Sequence, residues 1–139
     1  MAGTVTMEFS KVAAPYVENR GIIKVSIDWV ADASDGSVPQ TDFDSTDMID
    51  ILGRYCIMAT TNPGSTAPTN LYDIEILDED GIDVFGANLK NRSASDSEQV
   101  VPKIGMAYGG RVCTGTWTFK LTNNSVNSAT GNCTLYFEV

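Results

Sequence analysis

Apolar and polar residues alternate one for one along several short stretches of this chain, the period of a β-strand with one buried face. In IIKVSIDWV, residues 22–30, Ile23, Val25, Ile27 and Trp29 fall on one side and Lys24, Ser26 and Asp28 on the other. Val5, Met7 and Phe9 repeat the pattern near the N-terminus, and Tyr55, Ile57 and Ala59 repeat it within 54–60. Trp117, Phe119 and Leu121 alternate against Thr116, Thr118 and Lys120. Cys133, Leu135, Phe137 and Val139 then alternate against Thr134, Tyr136 and Glu138. The polar stretch NNSVNSATG separates these last two runs, so they are expected to pair as a long antiparallel hairpin.

Helical periodicity is scarce. A short helical turn is expected to begin at Asp44 or Ser45, and Gly53 breaks the phase before the next strand, as a bulge or the end of that turn would. DASDGSVPQ and TNPGSTAPTN read as loops. Short strands between such loops predict an all-β fold, an antiparallel β-sandwich of jelly-roll or immunoglobulin-like order, in one domain. Residues 1–20 form an N-terminal strand and arm in this reading, and 21–139 the sandwich. Trp29 and Trp117, on apolar strand faces, belong to its core. A chain of 139 residues can hold such a core without metal or disulfide staples.

The stretch YDIEILDEDGIDVFGANL, residues 72–89, gathers six acidic side chains around Gly81. Two readings compete. In a hairpin turn, Gly81 supplies a positive φ, Tyr72, Ile74 and Ile76 share an inner face with Ile82 and Val84, and Asp73, Glu75 and Asp83 stay outside. A calcium loop of the EF-hand kind needs Gly at its sixth position and Glu at its twelfth. Counted from Asp78, Gly81 is fourth and the twelfth residue is Leu89, so the turn is the better reading.

Composition narrows the chemistry. The chain has no His, which removes the commonest general base and transition-metal ligand and any Ser-His-Asp or Cys-His device. AYGGR at 107–111 lacks the glycine spacing and lysine of a phosphate loop. The acids Asp42, Asp44, Asp47 and Asp50 read as a solvated loop face. No enzyme activity, cofactor or metal is expected. A net charge of −9, with scattered Lys and Arg, argues against nucleic acid as a partner. Nothing resembles a signal peptide or membrane span, so a soluble protein is expected.

Cys56, Cys113 and Cys133 include no C-x-x-C pair. The expected terminal hairpin would set Cys133 opposite Lys120, leaving Cys113 roughly 23 Å away along the strand, against a disulfide limit of about 7 Å between Cα atoms. They are expected as small, buried, reduced residues. Loop aromatics Tyr16, Phe43, Tyr55 and Tyr108 are candidates for contact with a partner, as is Pro15 in the poorly periodic stretch SKVAAPYVENRG.

The segments IIKVSIDWVAD, NLYDIEILDEDGIDVFGANL, EQVVP and WTFKLTNNSVNSATGNCTLYF together resemble small virion structural proteins of tailed bacteriophages. The likeness covers roughly 20 to 139, and Tyr72 to Asn88 is its most specific part; 42–52 fit less well and the first 20 residues have no counterpart. The resemblance implies no catalytic residues. It implies a copy-rich head decoration, or cement, protein on the capsid exterior, made in the host bacterial cytoplasm. Its partners would be the major capsid protein and neighbouring copies of itself, as a homotrimer, with no nucleic acid or membrane. Pro15, Tyr16, Phe43 and Tyr108 are the contact residues this reading would use. A neck, tail or baseplate protein, or a carbohydrate-binding β-module with Tyr108 and Phe43 as its platform, are the other readings.

Overall fold

The computed structural model describes residues 1–12 and 21–138. It is nearly all β, with antiparallel sheets packed face to face. Sheet A has the order β1 (Thr4–Val12), β2 (Ile22–Val30), β11 (Thr130–Glu138), β4 (Tyr55–Pro63) and β6 (Glu98–Val100), and β9 (Arg111–Val112) also joins β4. Sheet B is β3 (Thr41–Asp42), β10 (Thr118–Thr122) and β5 (Asp73–Leu77). The strands β7 (Lys103–Ile104) and β8 (Ala107–Tyr108) form a separate two-stranded ribbon.

The alternation seen in the sequence sets the core. Ile23, Val25, Ile27 and Trp29 of β2 and Cys133, Leu135 and Phe137 of β11 are buried. From sheet B they meet Ile74 and Ile76 of β5, Phe119 and Leu121 of β10, and Tyr72 and Trp117 just before those strands, all buried. Aromatic pairs bridge the layers: Trp29 and Tyr72 lie 5.7 Å apart between ring centroids, Trp117 and Phe137 5.4 Å. Each such pair adds about 0.5–1.5 kcal/mol beyond the area it buries. Gly131 on β11 makes room for this packing, since a Cβ there would stand 2.4 Å from the Trp29 ring.

Two expectations fail, one of strand partner and one of phase. The runs 117–121 and 133–138 do not pair as a hairpin. β10 lies in sheet B against β5, with Phe119 opposite Ile76 and Leu121 opposite Ile74, whereas β11 sits in sheet A between β2 and β4. The connection 123–129 crosses from one layer to the other. Asn124 holds it there: its amide donates to Gly36 O (2.7 Å) and Val126 O (3.1 Å), and its oxygen accepts from Thr69 N–H (2.9 Å). Alternation says which face of a strand is buried, and both strands of such a crossing bury one face.

The second failure is phase in β4. Tyr55 is 46% exposed and Ile57 half-buried, while Cys56, Ala59 and Thr61 are buried. The register against β11 shifts between Tyr136 and Phe137, so Ile57 is the extra residue of a bulge there, four residues after Gly53. Gly53 instead ends the helical segment, with φ of 79°. That segment is a 3-10 turn at Asp47–Asp50, and Asp44 starts it by accepting from Thr46 N–H at 2.8 Å. β4 also runs on through Pro63, into a stretch expected to be loop. Ser10–Val12, read as the start of an arm, belong to β1 and pair with Lys24–Ile22.

Trp29 Nε1 and the Tyr72 hydroxyl are buried without a hydrogen-bond partner among the described residues. A buried hydroxyl with no partner loses its hydration for nothing in return. Tyr72→Phe is therefore expected to leave stability unchanged or raise it by up to about 1 kcal/mol, read from the midpoint of urea unfolding. Gly131→Ala is expected to lower it by about 1–3 kcal/mol by displacing the Trp29 ring, with a change in tryptophan fluorescence of the folded state.

Candidate interaction surface

All but one of the six acids of 72–89 already have partners in the fold. Asp73 accepts from Asn91 N–H at 2.8 Å and from the Asn123 amide. Glu75 pairs with Lys90 at 2.9 Å. Asp78, 6% exposed, accepts from the N–H groups of Asp80 and Ile82, both at 2.9 Å, and from the Arg111 guanidinium at 2.6 Å. Glu79 accepts from the Thr114 hydroxyl at 2.7 Å. Asp83 accepts from Phe85 N–H (3.0 Å) and Ala87 N–H (2.9 Å). Glu79 and Asp80 are both exposed, and Asp80 has no side-chain partner among the described residues. Gly81 has the expected positive φ, 78°, and its N–H donates to Asp78 O at 3.0 Å.

This is a tight turn. Ile82 is the exception to the expected pattern: it is 57% exposed, because the turn ends in a single bridge, Leu77 to Asp83, rather than a continued ladder. Val84 and Phe85 return to the core. No group of three or more His, Cys, Asp or Glu among the described residues is placed to hold a metal ion.

The turn braces a projecting ribbon. Asp78 grips Arg111 on β9, which pairs with β4 at Cys56, and β9 follows the β7–β8 ribbon directly. The ribbon's base is closed by Gly109 N–H donating to Pro102 O at 3.0 Å. Gly86 lies so close to it that a Cβ would stand 2.3 Å from Lys103 O, and the Asn88 amide donates to Val101 O at 2.9 Å. The two-residue loop Gly105–Met106, with Gly105 at φ 60°, turns the ribbon. Its side chains are apolar and open: Ile104 54% exposed, Met106 91% and Tyr108 66%. Below Tyr108 lies an open groove of about 600 Å³ lined by Met58, Asn88, Arg92, Gln99, Val100 and Val101.

The contact residues suggested by sequence divide accordingly. Tyr108 stands on the ribbon, and Tyr55 is exposed next to Gly110 at the ribbon's end, 3.3 Å from a Cβ placed there. Phe43 is 2% exposed, its ring against Phe9 (6.1 Å) and Trp117 (6.3 Å), so it is a core residue and no contact platform. The polar loop around it hid this, since no alternation marks a single buried ring. Pro15 and Tyr16 lie outside the described residues. Sequence reasoning missed the ribbon itself, although Lys103–Ile104 and Ala107–Tyr108 around a Gly-led two-residue loop are a hairpin signal.

Cys56, Cys113 and Cys133 are buried and unbonded. Burial raises all three thiols above the ordinary range, Cys113 to about 11 and Cys133 to about 12. They offer no thiolate for catalysis near neutral pH. No helix among the described residues is long and apolar enough to cross a membrane. No family model, curated protein or solved structure matches the chain.

Burial alone would raise the Asp78 carboxyl, but the Ile82 N–H, the Arg111 guanidinium and the Asp80 N–H together bring it below the usual carboxylate value. A carboxylate whose folded pKa is depressed contributes stability above its unfolded pKa, near 4, and loses that contribution as pH falls through the folded value. Asp78→Asn is expected to cost about 2 kcal/mol at pH 7 and to flatten the loss of stability below pH ~4, measured by urea unfolding across pH.

Proposed function

We propose that this protein is a structural component that stabilises a larger protein assembly by docking on it, and that the assembly is the head shell of a tailed bacteriophage. The observation that carries the docking part is the braced ribbon, which holds Ile104, Met106 and Tyr108 open to solvent on a rigid body. Exposed apolar side chains at and beside a two-residue turn offer a compact anchor for a partner groove. The phage part is supported by the resemblance of 20–139 to small virion proteins.

The mechanism in this reading is mass action. A protein that binds the assembled, expanded shell better than its loose subunits shifts the equilibrium toward the shell, and the effect multiplies with occupied sites. The major capsid protein and adjacent copies of this chain are the partners, the exterior of the head is the place, and no reaction is performed. Copy number per particle distinguishes the head from the neck, tail or baseplate.

One observation favours a second reading, a carbohydrate-binding module. Tyr108 stands over a groove also lined by Asn88 and Gln99, a mixture of ring and amide that sugars use. Glycan-array binding lost in Tyr108→Ala would support that reading over the first.

Purified protein mixed with empty expanded heads is expected to co-sediment with them and to raise their disruption temperature. Met106→Asp, at the fully exposed tip, is expected to weaken binding by about 2 kcal/mol, roughly 30-fold, with unchanged unfolding of the free protein. Absence of wild-type association with heads would overturn the proposal.

A further inference from the structure

An outermost strand offers a row of free N–H and C=O groups, and β proteins blunt such edges with short strands, prolines, bulges or covering loops. Most edges of this molecule are blunted. β6 has three residues and runs into Pro102, β9 has two, and β3 has two and follows Pro39. The outer side of β5 is roofed by 89–92: Ile74 N–H donates to Leu89 O at 3.1 Å, and Arg92 N–H to Tyr72 O at 2.7 Å.

β1 is the exception. It pairs with β2 at every position from Thr4 opposite Val30 to Val12 opposite Ile22, with no bulge and no proline. Among the described residues no strand pairs with its other side. Its inner face is also under-covered: Val5, Met7 and Phe9 pack on the core yet remain only partly buried. Sheet B has three strands against the six of sheet A.

We infer that this edge is completed by β1 of a second copy of the chain, antiparallel about a two-fold axis, so that sheet A continues from one copy into the next. This goes beyond the docking reading and does not rest on it. The strand's own residues select the occupant. A two-fold that keeps both inner faces on one side sets odd-numbered residues opposite odd ones. With Met7 opposite its own copy, Val5 lies opposite Phe9, Thr6 opposite Glu8 and Thr4 opposite Ser10. The half-covered apolar lip then closes on itself and no like charges meet. Centring on Glu8 sets carboxylate against carboxylate and Lys11 against Val5, and centring on Thr6 leaves Phe9 against Gly3. The contact is isologous and closes at two copies, in place of the homotrimer that the phage resemblance implies.

Sedimentation of the full chain at high concentration is expected to give twice 14.9 kDa. Thr6 is exposed on the outer face, so its variants leave the core intact. Thr6→Glu places a carboxylate opposite Glu8 of the copy twice per dimer and raises the dissociation constant several-fold; Thr6→Lys lowers it. Oxidation tests the register: Met7→Cys forms a disulfide-linked dimer, whereas Val5→Cys does not, and the three native thiols are buried. A wild-type chain that stays monomeric, a dimer indifferent to both Thr6 variants, or equal cross-linking at the two positions would each overturn the inference. An edge that another protein fills would appear as the first of these results.

Discussion

The structure depends on the packing of two apolar strand faces across the sandwich. β2 and β11 supply one face and β5 and β10 the other, and Trp29 against Tyr72 and Trp117 against Phe137 span the gap. The layers interlock tightly enough that β11 carries glycine where the Trp29 ring passes, and that two polar atoms, Trp29 Nε1 and Tyr72 Oη, are carried into the core without partners among the described residues. Burial of large rings outweighs those unpaired donors, because an aromatic side chain removes far more apolar area from water than one donor atom costs.

The surface is organised from that core outward. Tyr72, Ile74 and Ile76 fix β5 in place, and the acidic turn that follows reaches across to Arg111 through Asp78. One ion pair with its carboxylate almost fully buried thereby ties sheet B's edge to the strand that leaves the projecting ribbon. Gly86 and Asn88 tie the same loop to the ribbon's other strand. Three of the acids that look like a metal site in the sequence, Asp73, Asp78 and Asp83, accept from backbone N–H groups, and Glu75, Asp78 and Glu79 engage Lys90, Arg111 and Thr114, so the carboxylates largely satisfy donors within the fold.

Two features stay open to solvent: a ribbon with an exposed apolar tip, and a long regular edge strand whose inner face is half-covered. Both are surfaces on which another protein chain could gain free energy. They lie on different elements, so a molecule paired through β1 still presents its ribbon. The chain has no His, its three thiols are buried, and all but one of the acids of 72–89 are engaged by partners within the fold.

Much of this was legible in the residues themselves. Alternation identified β2, β10 and β11 and the inward face of each, placed both tryptophans in the core, and made the fold all-β; Gly81 marked its turn. Period two reports the exposure of each side chain, which is a local property. It does not report which strand lies alongside, so the runs on either side of 123–129 could read as a hairpin although they belong to opposite layers. The bulge at Ile57, the burial of Phe43, the exposure of Ile82 and the Asp78–Arg111 pair were likewise settled in three dimensions, because each depends on residues distant in the chain that only packing brings within reach.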